Sequence, residues 1–189
     1  TVLTAANMTN CNPVLTPIVQ RLPTPEDQPS KEELELMNRV PYNRILGMLI
    51  WLMTCTRPDI ALAVNQLCRH ANAPREIHWM AMKRVLRYLK GTANYGLLYA
   101  KDADSKVTGY SDSDWGGEVD RKSTSGTCFT LAGCAIYWRS ATQRIVALST
   151  AESELIALTD TVKEATHIGY LSGNVDSPSM GQAPLLIYC

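Results

Sequence analysis

The feature that most constrains this chain is a change of apolar rhythm at Gly91. Before it, apolar residues recur at three- and four-residue intervals, the spacing of helices that pack by one face; after it they alternate, as in strands. The 189 residues must therefore build a helical layer first and a sheet second. Their 46% apolar content is enough to bury a core, and the chain reads as globular.

Residues 1–40 carry Pro13, Pro17, Pro23, Pro25 and Pro29 among polar neighbours, which forbids a continuous helix and predicts an extended or mobile arm that packs poorly alone. From Tyr42 the apolar positions Ile45, Leu46, Leu49, Ile50, Leu52 and Met53 predict a core helix that stops before Thr56-Arg57-Pro58. Pro58 can open a second helix with Ile60, Val64, Leu67 and Cys68 on one face, ended by Asn72-Ala73-Pro74. A third runs from Arg75 to Gly91, with Ile77, Met80, Ala81, Val85, Tyr88 and Leu89 as its stripe. Lys83, Arg87 and Lys90 line its other side, with Arg84 beside them.

Beyond Gly91, strands are expected at Tyr95–Tyr99 and Val107–Asp112 around a polar turn, Lys101–Lys106. Two more, Gly126–Leu131 and Ala135–Arg139, are joined by a tight hairpin at Ala132-Gly133-Cys134, giving an antiparallel meander. Ser149 and Glu152 fit a capping box ahead of a helix with apolar Ala151, Leu155, Leu158, Val162 and Ala165. A small-residue loop, Gly173–Ala183, leads to a last strand at Leu185–Cys189. The predicted organisation is an arm over 1–40, a helical connection over 41–93 and an α/β domain over 94–189.

Lysine plus arginine balance aspartate plus glutamate at 18 each, so a nucleic-acid partner would need a local basic patch. Six cysteines without C-x-x-C spacing argue against a zinc or redox site and suit a reducing compartment. The longest greasy stretch, Ile45–Met53, is too short for a membrane span, so a soluble chain is expected. With no initiator methionine and no leader at Thr1, the sequence reads as a fragment, a processed product or a trimmed chain.

Asp112 and Asp114 end a predicted strand, where carboxylates can hold a divalent cation, although such a pair also serves in turns. Glu152 is expected to reach back to the Ser149 amide. Glu154 is expected to face the sheet, where a carboxylate costs free energy unless paired or bound to metal. Asp112 with Glu154 is thus the strongest metal-binding pair. Lys83, Arg84, Arg87 and Lys90, with Arg121, Lys122, Arg139 and Arg144, could contact phosphates; a solvated helix face explains the first group equally well. Trp51, Trp79, Trp115 and Trp138 read as core or edge packing, and His70, His78 and His167 have no ligand spacing.

Several motifs occur in one order: Cys11-Asn12-Pro13 through Thr16-Pro17, Tyr42 with Gly47, Thr56-Arg57-Pro58-Asp59-Ile60, His78-Trp79 and Arg87-Tyr88-Leu89-Lys90-Gly91-Thr92. Then come Gly109-Tyr110-Ser111-Asp112-Ser113-Asp114-Trp115, Arg121-Lys122-Ser123-Thr124-Ser125-Gly126 and Ala147-Leu148-Ser149-Thr150-Ala151-Glu152-Ser153-Glu154. Together they resemble the Pol polyprotein of copia-type retrotransposons, from the end of its reverse transcriptase into the first half of its ribonuclease H domain. The resemblance implies an incomplete ribonuclease H-like α/β fold (antiparallel strands, helix, strand) behind a small helical connection. It implies Asp112 and Glu154 as the first two catalytic and metal-binding carboxylates, Mg²⁺ as cofactor, and an RNA–DNA hybrid as substrate.

The family's third carboxylate directly follows a strand like Leu186-Ile187-Tyr188-Cys189, where this sequence stops, so no hybrid cleavage is expected of it as given. A sheet cut there would leave an exposed edge, inviting aggregation or a protein partner. The Pol reading implies a cytoplasmic or nuclear protein. The alternative is a non-enzymatic secreted effector or interaction protein on the same scaffold, acting in a host cell; Arg84-Val85-Leu86-Arg87 matches an Arg-x-Leu-Arg host-entry pattern, a weak four-residue signal inside an amphipathic helix. A third reading is a passive nucleic-acid-binding module.

Overall fold

A computed structural model describes residues 1–19, 22, 27–102, 106–117, 120–173 and 185–189. The chain divides into two compact units, Thr1–Gly96 and Leu97–Cys189. Pro23, Pro25, the middle of the turn read at Lys101–Lys106 and nearly all of the loop read at Gly173–Ala183 lie outside the described residues.

The first unit is helical among its described residues. Short α1, Val2–Ala5, precedes α2, Lys31–Arg39, and α3, Tyr42–Cys55; a single 3₁₀ turn at Pro58–Ile60 leads into α4, Ala61–Cys68, and then α5, Glu76–Gly91. Ile45, Leu46, Leu49, Ile60, Val64, Leu67, Met82, Val85 and Leu86 meet in its core. Its three central helices follow the sequence reading closely, since Pro58, Pro74 and Gly91 leave little choice about where helices begin and end.

The arm differs from expectation. Ser30 caps α2, its hydroxyl accepting from the Glu33 amide at 3.2 Å, and Glu33 then accepts from Arg75 Nε and from the Glu76 amide, each at 2.8 Å. A carboxylate at the first turn of α5 is favoured by that helix's dipole, so α2 is pinned where composition suggested only a mobile segment. Val14, Ile18, Leu22, Met37 and Val40 pack against the core as well. The burial of two helices is also rotated from the expected stripe. His78 and Met82 face inward in α5 while Ile77 and Met80 are exposed, and Trp51 stands 70% exposed on α3 instead of packing.

His78 is inward for a polar reason: its Nδ1 accepts from the Arg75 amide at 3.0 Å, ending the α5 amide row, and its ring stacks on His70 at 3.6 Å. Burial, with the neighbouring His78 and the Arg69 charge, lowers the His70 pKa to about 4. A base held neutral in the folded state confers stability that is complete above its unfolded pKa and is lost as pH falls from about 6.5 toward 4. Solvent around this half-exposed ring reduces the loss to about 1 kcal/mol. Urea unfolding between pH 7 and pH 5 should show that slope, and His70→Gln should flatten it.

The second unit is α/β. β1, Thr108–Asp114, β2, Thr124–Leu131, and β3, Cys134–Thr142, form an antiparallel meander; α6, Thr150–Gly173, follows, and β4, Leu186–Tyr188, lies parallel to β1. The order β3-β2-β1-β4 makes the four-stranded sheet mixed. The β2–β3 loop is just Ala132-Gly133, both with positive φ (52° and 77°), the backbone of a type I′ turn. Tyr95–Tyr99 forms no strand. The Tyr95 amide turns back to the Thr92 carbonyl at 3.0 Å, and Tyr99 reaches β3 only through its hydroxyl, which donates to the Ala135 carbonyl at 2.7 Å. No helix among the described residues is long and apolar enough to cross a membrane.

Candidate functional site

The surface of α6 that meets the sheet is built from hydroxyls and alanines rather than large apolar residues. Ser153, Ala157, Thr161 and Ala165, spaced by four, are its buried line. Hydroxyl side chains on the strands meet them: Ser113 Oγ lies 2.8 Å from Ser153 Oγ, and Thr127 Oγ1 lies 2.9 Å from Thr161 Oγ1. Gln143 completes the layer by donating from Nε2 to Ser125 Oγ at 3.0 Å and to the Ser153 carbonyl at 2.9 Å. Small side chains let helix and sheet approach closely, and each buried hydroxyl then needs a partner. Sequence reasoning passed over this network, although the alternate serines 111 and 113 in β1, and 123 and 125 at the start of β2, are a visible sign of a polar inner face.

That layer fixes the two candidate carboxylates. Asp112 is in β1 opposite Gly126, and Asp114 opposite Thr124, so neither is a turn residue; the turn begins at Trp115-Gly116, held by Trp115 Nε1 donating to the Ala147 carbonyl at 3.0 Å. With Gly109 and Ser111 buried on the α6 side, the pleat sets Asp112 on the other, open face. Glu154 departs from expectation. Ser153 occupies the sheet-facing position, and Glu154, one residue round the helix, is half-buried and accepts from the Cys189 thiol at 3.8 Å. At the edge of the helix–sheet layer, Glu154 does not carry the cost of an unpaired carboxylate against the sheet. Glu152 caps the helix as expected in kind but not in detail: Glu152 N donates to Ser149 Oγ at 3.1 Å, while its carboxylate accepts from the Leu148 amide at 2.6 Å instead of the Ser149 amide.

Asp112 and Glu154 both affect the ionisation of Cys189. Cys189 follows Tyr188, the β4 partner of Tyr110, and its thiol pKa is raised by burial, by the charge and hydrogen bond of Glu154, and by the charge of Asp112. Glu154 touches the residue that follows β4, while Asp112, on the other face of the neighbouring strand, bears on it through its charge. Among the described residues no three His, Cys, Asp or Glu side chains are arranged to hold a metal ion.

The basic residues fall into two settings. On α5, Arg84 Nη2 donates to Thr16 Oγ1 at 2.8 Å, Arg87 Nε to the Asn12 carbonyl at 2.7 Å and Lys90 Nζ to the Thr9 carbonyl at 2.7 Å. Lys83 lies over the Trp79 ring at 5.8 Å. The arm covers part of this row, so it is not a plain solvated face. In the second unit Lys122 pairs with Asp120 at 2.6 Å, and Arg121 sits at φ 62°, the backbone bend that begins the approach to β2. The balanced total charge conceals a division: eleven Lys and Arg against seven Asp and Glu in Thr1–Gly96, and the reverse in Leu97–Cys189.

Across its whole length the chain is 40% identical, over 191 aligned residues, to the retrovirus-related Pol polyprotein from transposon TNT 1-94 of Nicotiana tabacum. Over 163 residues, 86% of the chain, it is 36% identical to the Pol polyprotein from transposon RE2 of Arabidopsis thaliana. The chain belongs to the copia-type retrotransposon Pol family. It spans 14% and 11% of the length of these two polyproteins. It is also 48% identical over 130 residues, 68% of this chain and 92% of the relative, to secreted RxLR effector protein 161 of Plasmopara viticola. No protein-family model and no solved structure matches the chain. Within the copia-type Pol family, the motifs Thr56–Ile60 and Arg87–Thr92 now have a shared structural meaning, because Arg57 bonds to the carbonyl and hydroxyl of Thr92 and, with Tyr88, to Asp59.

Proposed function

We propose that this copia-type Pol chain comprises the helical connection after the polymerase and the opening of a ribonuclease H-like domain, and that Asp112 and Glu154 are its contribution to a Mg²⁺-dependent site that cuts RNA in RNA–DNA hybrids. The observation that carries the reading is that Cys189, just after β4, donates its thiol to Glu154 and feels the charge of Asp112 on the adjacent strand. The order β3-β2-β1-β4, with three antiparallel strands, a crossing helix and a parallel fourth strand, supports it.

The donor set fits the ion in kind. Carboxylate oxygens suit hard Mg²⁺, which keeps several waters and takes one or two protein carboxylates. Asp112 and Glu154 would hold it, and when bound it would strengthen a water as nucleophile and spread the charge of the departing oxygen. The serine and threonine layer beneath α6 keeps Glu154 in place relative to β1 and β4. Two carboxylates hold a pair of ions poorly, so these 189 residues alone should not cleave a hybrid. Labelled RNA annealed to DNA, incubated with the chain and Mg²⁺, should remain intact; cleavage that Asp112→Asn abolishes would contradict this division of the ligands.

The likeness to an effector supports a second reading, a non-enzymatic interaction protein on the same scaffold. Against it stands the setting of Arg84-Val85-Leu86-Arg87: Val85 and Leu86 are buried in the helical core, and both arginines are engaged by residues 12 and 16. A tetrad so placed is not available as a linear signal while the unit is folded. The basic row belongs more naturally to the nucleic-acid partner of the first reading.

A further inference from the structure

α3 is apolar on both of its sides. Ile45, Leu46 and Leu49 fill the core, while Gly47, Ile50 and Trp51 stand exposed on the far side, and its one charged residue is Arg44. A helix face left to solvent normally carries charges, and a helix apolar all round is one that is covered all round. α1 packs beside the exposed side, where Val2, Arg44, Gly47, Met48, Trp51 and Leu52 line an open groove of about 520 Å³.

The shape of that side is self-complementary. Gly47 and Trp51 are four residues apart, so they lie one turn apart on one face, a notch beside a knob. At Gly47 a Cβ would meet nothing within 4 Å, so the helix backbone lies bare at the notch. When two copies of α3 run antiparallel about a two-fold axis at the height of Leu49, position 47 of each faces position 51 of the other, and Met48 faces Ile50. Both indoles then find a notch. The same pairing sets Arg44 of each copy opposite Thr54 of the other, in a last turn that carries no basic residue and where the helix dipole is negative. A parallel pair would set knob against knob and Arg44 against Arg44.

We propose that this side of α3 is an interface at which two copies of the chain pair antiparallel, each Trp51 seated at the other's Gly47. Neither carboxylate of the proposed metal site takes part, nor does the basic row of α5. A copy of the same face supplies both the knob and the notch at the spacing required, which an unrelated apolar helix has no reason to do.

The test is sedimentation equilibrium of the full chain across a micromolar-to-millimolar series, with a reductant present because Cys55 is exposed, and thermal unfolding by circular dichroism for each variant. A concentration-dependent dimer is expected. Trp51→Ala should weaken it about tenfold or more, the loss usual for a central aromatic anchor. Gly47→Leu should weaken it to a similar degree while the chain melts no lower, since leucine favours helix over glycine and here meets open space. That pair of results separates a blocked notch from a damaged fold. The double variant Gly47→Trp with Trp51→Gly exchanges knob and notch and should recover dimerisation, as the antiparallel register requires and general stickiness does not. Wild type that stays monomeric throughout the series, a dimer that survives Trp51→Ala or Gly47→Leu at full strength, or a double variant as weak as the single ones would each overturn the proposal.

Discussion

Arg57→Ala is expected to destabilise the helical unit by about 2 kcal/mol, because it removes a buried guanidinium with four hydrogen bonds while its partner Asp59 stays partly exposed to water. Arg57 is 6% exposed. Its Nε donates to Asp59 Oδ1 at 3.0 Å, Nη2 to Asp59 Oδ2 at 2.7 Å and to Thr92 Oγ1 at 2.5 Å, and Nη1 to the Thr92 carbonyl at 3.1 Å. Tyr88 adds its hydroxyl to Asp59 Oδ2 at 2.7 Å, and its ring lies 5.6 Å from the guanidinium. Burial pushes the Asp59 carboxyl up, but the Arg57 and Tyr88 hydrogen bonds outweigh it and leave the pKa below the usual value. The fork thus joins the start of α4 to the end of α5. Without it Asp59 is left with the Tyr88 hydroxyl and the Thr92 carbonyl with the Tyr95 amide. Lysine should recover little, since a single ammonium cannot serve both partners in those directions. Denaturant unfolding followed by circular dichroism reads the effect; a loss below about 1 kcal/mol would mean that the pair behaves like an exposed bridge.

Phe129→Ala should cost the second unit about 4 kcal/mol. Phe129 is its one fully buried large side chain among the described residues; Ala147, Ala157, Ala165 and the hydroxyls fill the rest of the inner layer. The ring covers Gly109, its register partner, and meets Tyr137 edge-on at 6.1 Å. A methyl group on Gly109 would stand 2.6 Å from Phe129 Cε1, so Gly109→Ala should cost about 1–3 kcal/mol by overpacking. The two positions share one space. In a double-mutant cycle with Phe129→Leu, the cost of Gly109→Ala should fall, and strict additivity would show that the ring does not lie on Gly109.

The helices around Pro58, Pro74 and Gly91 were legible because backbone chemistry at those residues limits the choices. The hairpin was legible because Ala132-Gly133 separates two alternating runs. Alternation misled at Tyr95–Tyr99, where aromatic residues fit a strand pattern but no partner strand accepts them. α2 was hidden because prolines dominate the composition of its neighbourhood, whereas Ser30 and the Glu33–Arg75 contact decide its structure. Only tertiary structure could reveal that contact, since 42 residues separate its partners. The orientation of Glu154 was missed for a related reason. Apolar periodicity locates the buried line of a helix poorly when that line is Ser153, Ala157, Thr161 and Ala165, and a one-residue error moves a carboxylate from the sheet to its edge. Arg84, Arg87 and Lys90 could be found as a row, but not the arm that orients them.

The account rests on Asp112 and Glu154 serving one metal ion, and the most direct test is a titration of isotope-labelled chain with Mn²⁺, which broadens nearby resonances, followed by displacement with Mg²⁺. The expected result is selective broadening at Asp112, Glu154 and Cys189, reversed by Mg²⁺ and abolished by either Asp112→Asn or Glu154→Gln. Broadening confined to other acidic surface positions, or broadening at Glu154 that survives Asp112→Asn unchanged, would contradict it.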